Sequence, residues 1–211
     1  MPQATRKPIV VGVTGASGAL YARRLLDALD TAGTDVHLVV SPKGRRVLAD
    51  ELAITRFSVE ALLGRAGKRI TSYPYHDIGA TIASGSFPTA GMIVCPCSTH
   101  SLAAIAAGLG DNLIFRAAAV TLKEARRLVL VPREMPFTQI DLRNALRLSE
   151  AGAIICPAAP GFYMRPQTVG DLVDFLVGKL LDLFDVPHHF NTHWTGTAPD
   201  RAAHADGSTQ W

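Results

Sequence analysis

The chain has 211 residues, of which 48% are hydrophobic and 18% are charged. This balance excludes intrinsic disorder for most of the chain, and the length fits one α/β domain better than two. The formal net charge of +3 is too small to predict a nucleic-acid-binding face. No run reaches about 18 uninterrupted apolar residues, and the start lacks a signal-peptide pattern, so we expect a cytoplasmic protein with no membrane span.

Short apolar runs alternate with helical periods along the chain. Because the runs are continuously apolar, they predict a parallel sheet covered by helices on both faces. Residues 64–90 have no clear period, and we expect loops with one short strand there. The predicted strands are 8–14, 35–40, 91–95, 127–131 and 153–156, and the predicted helices are 19–32, 43–52, 99–107, 112–125, 138–151 and 168–185.

Four predicted strands end in segments rich in Gly, Pro or hydroxyl side chains, namely VTGASG, VCPCST, VPREMP and CPAAPGFY. Ligands of open parallel sheets bind outside the carboxyl ends of the strands, so these segments predict one composite pocket. The turn at Gly15–Gly18 places a helix N-terminus there, whose N–H groups would suit an anion. The turn is not GxGxxG, and Ser41 rather than an acidic residue ends the second strand, which disfavours NAD. A plain strand-to-helix turn is the alternative.

Several cations accompany these strand ends. We place Arg116, Lys123 and Arg133 near the third and fourth of them, and Arg126 with Arg127 at the other edge in solvent. Arg suits a phosphate as a fork and Lys as a point charge. For Arg133, the alternative is an exposed pair with its neighbour Glu134, worth about 0–1 kcal/mol.

The last predicted helix carries Lys179 on its apolar side, between Phe175 and Leu172 on a helical wheel. A lysine there must snorkel, pair or meet an anion. Tyr163 lies just beyond a strand end and would either donate to the same anion or cover the core.

The sequence predicts no metal site. The chain has an odd number of cysteines, Cys95, Cys97 and Cys156, which indicates a reducing compartment. Cys95 and Cys97 are close in sequence, but no second pair of metal ligands lies near them. We therefore expect structural cysteines. The seven histidines show no HExxH motif, and no GxSxG nucleophile motif is present. Ser98 and Thr99 are the better candidates beside the cysteines, either as a helix cap or as ligand contacts.

These motifs, taken together, are similar to those of the flavin prenyltransferases, the UbiX/Pad1 family. The resemblance covers about residues 8–194 and rests on six segments in order: VTGASGALYA, SGSF at Ser84–Phe87, CPCST, the stretch Arg116–Glu124, VPREMP, and PAAPGFYxRP followed by DLVDFLVGKLLD. It implies a three-layer, Rossmann-like or flavodoxin-like FMN-binding domain over 1–195, with FMN bound between the subunits of a homododecamer. Residues 196–211 are small and polar, and we expect a flexible tail there.

The resemblance also implies an activity. Family members join the dimethylallyl group of dimethylallyl monophosphate to N5 and C6 of reduced FMN without a metal. The product, prenylated FMN, is the cofactor of UbiD-type decarboxylases. Some relatives carry the name aromatic-acid decarboxylase because they were found through the decarboxylation pathway that uses this cofactor.

By position, the resemblance assigns residues to three roles. Ser17, near the reactive flavin edge, Glu51, near the prenyl group, and Glu134, which would assist proton transfer at the leaving phosphate, take catalytic roles. The other assignments are FMN contacts at Gly15, Ala16, Ser17, Ser41, Ser98, Thr99, His100, Ser101, Arg116 and Arg133, and donor contacts at Lys123, Arg133, Tyr163, Lys179 and Trp194.

Three positions depart from the family pattern. Lys179 stands where many relatives have Arg, Ala119 replaces a common Asp, and His100 occupies a variable position. Two alternatives stay open: a flavin-dependent cysteine decarboxylase of the related oxidative family, and a non-catalytic FMN carrier. The first relies on a catalytic His in an early helix, and 19–32 contains none. A carrier needs no second phosphate site.

Overall fold

A computed structural model describes residues 6–193 as a six-stranded, fully parallel sheet. The strand order is β3-β2-β1-β4-β5-β6, which is the order of the Rossmann fold, and it confirms the predicted fold class. The strands are β1 (Ile9–Val13), β2 (Val36–Val40), β3 (Ile70–Tyr73), β4 (Gly91–Cys97), β5 (Arg127–Pro132) and β6 (Ile154–Ile155). The helices are α1 (Ala19–Thr31), α2 (Pro42–Leu52), α3 (Val59–Leu63), α4 (Thr99–Ala106), α5 (Leu113–Lys123), α6 (Gln139–Glu150) and α7 (Val169–Asp182).

The predicted elements are all present, with small differences at their ends. The one short strand expected within 64–90 is β3, whereas α3 was not expected. Ser58 begins that helix by accepting from the Ala61 N–H at 3.0 Å, and Gly64 ends it at φ +70°. β6 has only two residues, because its ladder with β5 is limited to the pairs at Ile154 and Ile155.

Alternate strand residues face two separate cores, as the period of a strand requires. Val11 and its equivalents pack with α1, α2, α3 and α7, while Val10 and its equivalents pack with α4, α5 and α6. Cys95 and Cys97 belong to different cores although they are two residues apart. The register of β4 shifts between Val94 and Cys97, which turns the second cysteine to the other face.

The connections reverse direction between β1 and β4. From β1 the chain proceeds outward through β2 to β3, and from β4 it proceeds outward through β5 to β6. The crevice outside the carboxyl ends of β1 and β4 is therefore the topological switch point, where ligands of such sheets bind. The first turns of α1 and α4 both lie at this edge.

Serine caps begin two of the helices at this edge. Ser41 accepts from the Gly44 N–H at 3.0 Å, and Ser98 accepts from the Ser101 N–H at 3.2 Å. Gly44 has a packing reason, because a Cβ there would lie 2.6 Å from the Val13 carbonyl oxygen. The amino ends of α2 and α4, with their partial positive charge, therefore lie at the carboxyl edge of the sheet.

Two predictions fall outside the described residues: the donor contact at Trp194 and the flexible tail at 196–211. Among the helices within 6–193, none has the length and apolar character needed to cross a membrane.

Candidate active site

The loop after β1 is held by a carboxylate from α2. Glu51 accepts hydrogen bonds from the Ala19 N–H at 2.8 Å and the Gly18 N–H at 3.0 Å. Gly18 adopts φ +122°, a conformation that favours glycine. The expectation that the α1 N-terminus is free to bind an anion is therefore wrong, because Glu51 already occupies that position.

The pKa of Glu51 is lower than that of an ordinary glutamate. Partial burial raises the pKa of this carboxyl group. Hydrogen bonds from Ser17, Ala19 and Gly18, together with the nearby charge of Arg133, lower the pKa by more than burial raises it. Glu51 is consequently a carboxylate at neutral pH, with its charge directed at the turn that contains Ser17.

Arg133 links the end of β5 to the same turn. Its Nε donates to the Ser17 carbonyl oxygen at 3.3 Å, and its backbone N–H donates to the Cys97 carbonyl oxygen at 3.3 Å. The exposed Glu134 accepts from the Met135 N–H at 3.2 Å. The structure thus brings Ser17, Glu51 and Arg133 together, and Glu134 follows Arg133 in the chain.

The other predicted FMN contacts surround the switch point. Gly15 packs against α2 so closely that a Cβ there would lie 2.4 Å from the Lys43 Cβ, and the neighbouring Ala16 is buried. Ser98 and Ser101 place their hydroxyl oxygens 3.0 Å apart, and Thr99 is half-buried. His100 is exposed, with its ring 6.3 Å from that of Phe115.

Thr14 is a residue of this region that the sequence reasoning missed. Its hydroxyl donates to the Pro96 carbonyl oxygen at 2.9 Å and accepts from the Ser98 N–H at 2.8 Å. The side chain is buried. A hydroxyl residue directly after a buried strand, and before a predicted ligand turn, is the signal that was available.

Lys123 lies at the opposite edge of the sheet from Arg133. It ends α5, four residues before β5 begins, whereas Arg133 follows β5. The six residues of β5 span about 20 Å. The expectation that Lys123 lies near the ligand-binding strand ends is therefore wrong within a single chain.

Lys123 pairs with Glu124 over the turn at Gly85, where a Cβ would lie 2.5 Å from the Lys123 Nζ. The pKa of Glu124 is lowered, chiefly by its hydrogen bond with Lys123. Arg126 donates to the carbonyl oxygens of Gly85 at 2.6 Å and Phe87 at 2.7 Å. Its side chain is only 18% exposed, so the prediction that Arg126 is solvated is wrong.

The neighbouring cations hold other loops. Arg127 lies at the amino edge as predicted and is exposed, and it donates to the Leu183 carbonyl oxygen. Arg116 lies in the first part of α5 and donates to the Ala83 carbonyl oxygen at 3.1 Å. Its backbone partner Asn112 is the cap of that helix.

Tyr163 packs against α7 at Phe175, one helical turn before Lys179. The Tyr163 ring contacts the Phe175 ring edge-on at 5.5 Å, and Lys179 follows Phe175 by four residues, one turn or about 5.4 Å along the helix. Lys179 is half-exposed, and its Nζ lies 3.8 Å from an Asp182 carboxylate oxygen. Of the three alternatives for Lys179, which were snorkelling, pairing and contact with an anion, the structure shows pairing with Asp182.

One group of potential metal ligands occurs within residues 6–193: Asp182, His188 and His193. The His188 Nδ1 accepts from the Phe190 N–H at 3.1 Å, so the proton of a neutral ring lies on Nε2. That Nε2 lies 2.9 Å from an Asp182 oxygen and donates to it. A metal would need the same nitrogen unprotonated, so the geometry favours a hydrogen-bonded clasp between α7 and the following segment.

The cysteines are buried and protonated. Burial raises the pKa of Cys97 to about 12 and raises that of Cys95 as well. Cys156 is half-buried, and its pKa is raised mainly by burial. Thiols of this kind are poor nucleophiles and poor metal ligands at neutral pH, in agreement with a structural role.

The fold and the switch-point residues define a nucleotide-binding α/β protein, and the comparisons with known proteins specify its class. Residues 2–181 match the model of the Flavoprotein family. The flavin prenyltransferase UbiX of Pseudomonas aeruginosa is 46% identical over 194 residues, which cover 88% of this chain and 93% of that protein. This chain belongs to the flavin prenyltransferase (UbiX) family.

Two solved structures are similar over most of the chain. AnUbiX (PadA1), in complex with FMN and dimethylallyl pyrophosphate, matches with a TM-score of 0.82 and 42% identity, covering 91% of this chain and 99% of that chain. A protein described as a dodecameric FMN-dependent UbiX-like decarboxylase from Escherichia coli O157:H7 matches with a TM-score of 0.81 and 44% identity, covering 90% of this chain and 100% of that chain.

Proposed function

We propose that this enzyme transfers a dimethylallyl group from dimethylallyl monophosphate to reduced FMN. The prenyl C1–O bond would break and release inorganic phosphate as C1 bonds to N5, which loses its proton. The prenyl C2=C3 double bond would then take up a proton at C2 while C3 bonds to C6, and loss of the C6 proton would complete a fourth ring. The observation that carries the proposal is that Ser17, Glu51 and Arg133 contact one another at the switch point of this chain, which is 46% identical to a flavin prenyltransferase.

The residues of the switch point fit a flavin mononucleotide. Glu51 takes the N-terminal N–H groups of α1, so the amino ends of α2 and α4, with their caps Ser41 and Ser98, remain for the FMN phosphate. The small residues Gly15 and Ala16 let the ring system approach the backbone. Ser17 and Arg133 are then the groups nearest to the reacting edge.

The leaving phosphate needs cations that are already in place when charge develops on it. Arg133 supplies one in this chain, and Glu134 beside it would carry the proton that C6 releases. Tyr163 and Lys179 form a second pair along α7. Lys123 completes the set, although it lies at the other sheet edge of its own chain. In this arrangement no divalent metal is required.

The separation of Lys123 from Arg133 favours an active site shared between subunits. A neighbouring copy brings its Lys123 to the carboxyl edge of this chain, which also explains the exposed apolar side chains of the region. Met135 is 88% exposed and Phe162 is 72% exposed, close in sequence to Arg133 and Tyr163. We propose the homododecamer, as in the solved relative described as dodecameric.

The two alternatives are weaker. A cysteine decarboxylase of the related oxidative family would need its early-helix histidine, and α1 has none. An FMN carrier would have no use for Lys123, Arg133, Tyr163 and Lys179 as a second phosphate site. We propose that the prenylated FMN passes to a UbiD-type decarboxylase.

The test is a mass measurement on extracted flavin. The purified protein, loaded with FMN and reduced anaerobically, is incubated with dimethylallyl monophosphate. We expect the flavin mass to increase by one C5 prenyl unit, equally with and without a chelator. Unmodified FMN under verified reduction would overturn the proposal. A parallel incubation with dimethylallyl diphosphate establishes the donor, and only a product that activates an apo decarboxylase of the UbiD type supports the proposed recipient.

A further inference from the structure

Thr14 connects the two loops that meet at the switch point. It follows β1 immediately, is 2% exposed, and has both hydrogen-bonding functions of its hydroxyl satisfied across the crevice. The hydroxyl donates to the Pro96 carbonyl oxygen at 2.9 Å and accepts from the Ser98 N–H at 2.8 Å. The Thr14 backbone N–H donates to the same Pro96 oxygen at 3.2 Å.

The contacts of Thr14 lie just beyond the last regular hydrogen-bonded pair between β1 and β4. The pairing of β1 with β4 runs from Ile9 and Gly91 to Gly12 and Val94, and the register of β4 shifts beyond that point. Past the last pair, the backbone of β4 is held to β1 by Thr14. One side chain thereby fixes the spacing between the Ala16–Ser17 turn and the Ser98 cap of α4.

We propose that Thr14 is a positioning residue for flavin binding, which rests on the proposed function. Thr14 is buried, and its hydroxyl donates one hydrogen bond and accepts one within the protein, so we place it behind the flavin rather than in contact with it. It holds the turn at Ser17 and the cap at Ser98 at the distance that lets both contact one FMN. A valine has the same shape but would leave the Ser98 N–H without its acceptor, and the Pro96 carbonyl oxygen would keep only the hydrogen bond from the backbone N–H of residue 14.

The test compares three variants by FMN affinity, measured from the quenching of FMN fluorescence, and by melting temperature. Thr14→Val removes the hydroxyl, and Thr14→Ser keeps it. Thr121→Val is the matched control, because Thr121 is also 2% exposed and its hydroxyl donates to the Ala117 carbonyl oxygen within α5. We expect Thr14→Val to bind FMN about 10–100-fold more weakly, with Thr14→Ser and Thr121→Val close to wild type.

The decisive quantity is the excess loss. A loss of affinity in Thr14→Val at least fivefold greater than in both controls supports the proposal, and a smaller excess overturns it. Should Thr14→Val not fold, amide hydrogen exchange at Ser98 decides: slow exchange in wild type and Thr14→Ser supports the link, and fast exchange overturns it. Wild type that binds no FMN would instead contradict the proposed function, and the Ser98 exchange would still test the Thr14 link.

Discussion

A carboxylate oxygen of Glu51 lies 2.8 Å from the Ala19 backbone nitrogen, so α2 supplies the N-terminal cap of α1. The two residues are 32 positions apart in the chain. This cap places a negative charge where Rossmann-type proteins usually hold a ligand phosphate, and it binds the Ser17 turn to the body of the protein. The turn is thereby ordered before any ligand arrives.

The first prediction concerns the pH dependence of this cap. Glu51→Gln keeps a hydrogen-bond acceptor but removes the charge, and we expect a loss of about 0.5–1 kcal/mol in the free energy of unfolding at pH 7. The pKa of Glu51 is lower in the folded state, so its stabilisation is complete above the unfolded pKa of about 4.3 and is lost as the pH falls through the folded pKa.

Urea unfolding of wild type and Glu51→Gln across pH 7 to pH 3 measures this difference. We expect the gap between the two proteins to be constant above about pH 5 and to shrink below it. A gap that stayed the same down to pH 3 would show that the charge of Glu51 does not stabilise the α1 terminus. Glu60→Gln is a suitable control, since Glu60 lies in the first turn of the separate helix α3.

The second prediction concerns Lys123. Lys123→Ala removes one cation of the proposed phosphate clamp but none of the switch-point residues. We expect FMN affinity to stay within about twofold of wild type and the KM for the prenyl donor to rise about tenfold or more, which corresponds to about 1.4 kcal/mol of lost binding. Steady-state kinetics with FMN titration separates the two effects.

Lys68→Ala serves as the matched control for Lys123→Ala. Lys68 is an exposed lysine whose contact to Asp30 uses only its backbone N–H. Normal donor kinetics in Lys123→Ala would remove Lys123 from the clamp. A parallel loss in both variants would point to a general charge effect on the anionic donor.

The third prediction tests whether each site takes Lys123 from another copy. At donor concentrations well below KM, Lys123→Ala and Arg133→Ala are each expected to lose most of their activity, because every site then lacks one cation. Coexpression of the two variants produces mixed oligomers in which some sites receive an intact Lys123 and an intact Arg133 from different chains. We expect activity to return in those oligomers, well above the sum of the two separate variants.

Coexpressed chains that all carry both substitutions give the baseline for this experiment. Mixed oligomers no more active than the separate variants would mean that both residues act within one chain. Because the two residues lie at opposite ends of β5, that result would overturn the proposal that Lys123 joins the site of another chain.

The fold was predictable from the sequence because the strands are buried on both faces and read as unbroken apolar runs, such as those ending at Val13 and Val40. The positions of Ser41, Ser98 and Arg133 followed from the strands that precede them. Glu51 at α1 was not predictable from spacing, since its contact depends on how α1 and α2 pack. Arg126 is buried only because the loop carbonyls of Gly85 and Phe87 turn toward it.

The place of Lys123 in the chain already indicates the amino end of the sheet. Lys123 precedes β5 in the chain, as Arg126 and Arg127 do, and residues before a parallel strand lie at the amino edge of the sheet. Motif order therefore predicted the family correctly, whereas strand direction determines the end of the sheet at which each residue lies, and for Lys123 it is the amino end. This placement is the reason for proposing that a second chain supplies Lys123.

The last prediction concerns Lys179. The Lys179 Nζ lies 3.8 Å from a carboxylate oxygen of Asp182. We expect this carboxylate to compete with a phosphate for the ammonium group of Lys179. A guanidinium has five N–H donors in a planar fork, so it binds a phosphate at two points and still contacts the aspartate. We expect Lys179→Arg to lower the KM for the donor about threefold to tenfold with kcat nearly unchanged, and Lys179→Met to raise it. Donor titrations at saturating FMN measure both, and an unchanged KM in Lys179→Met would place Lys179 outside the donor site.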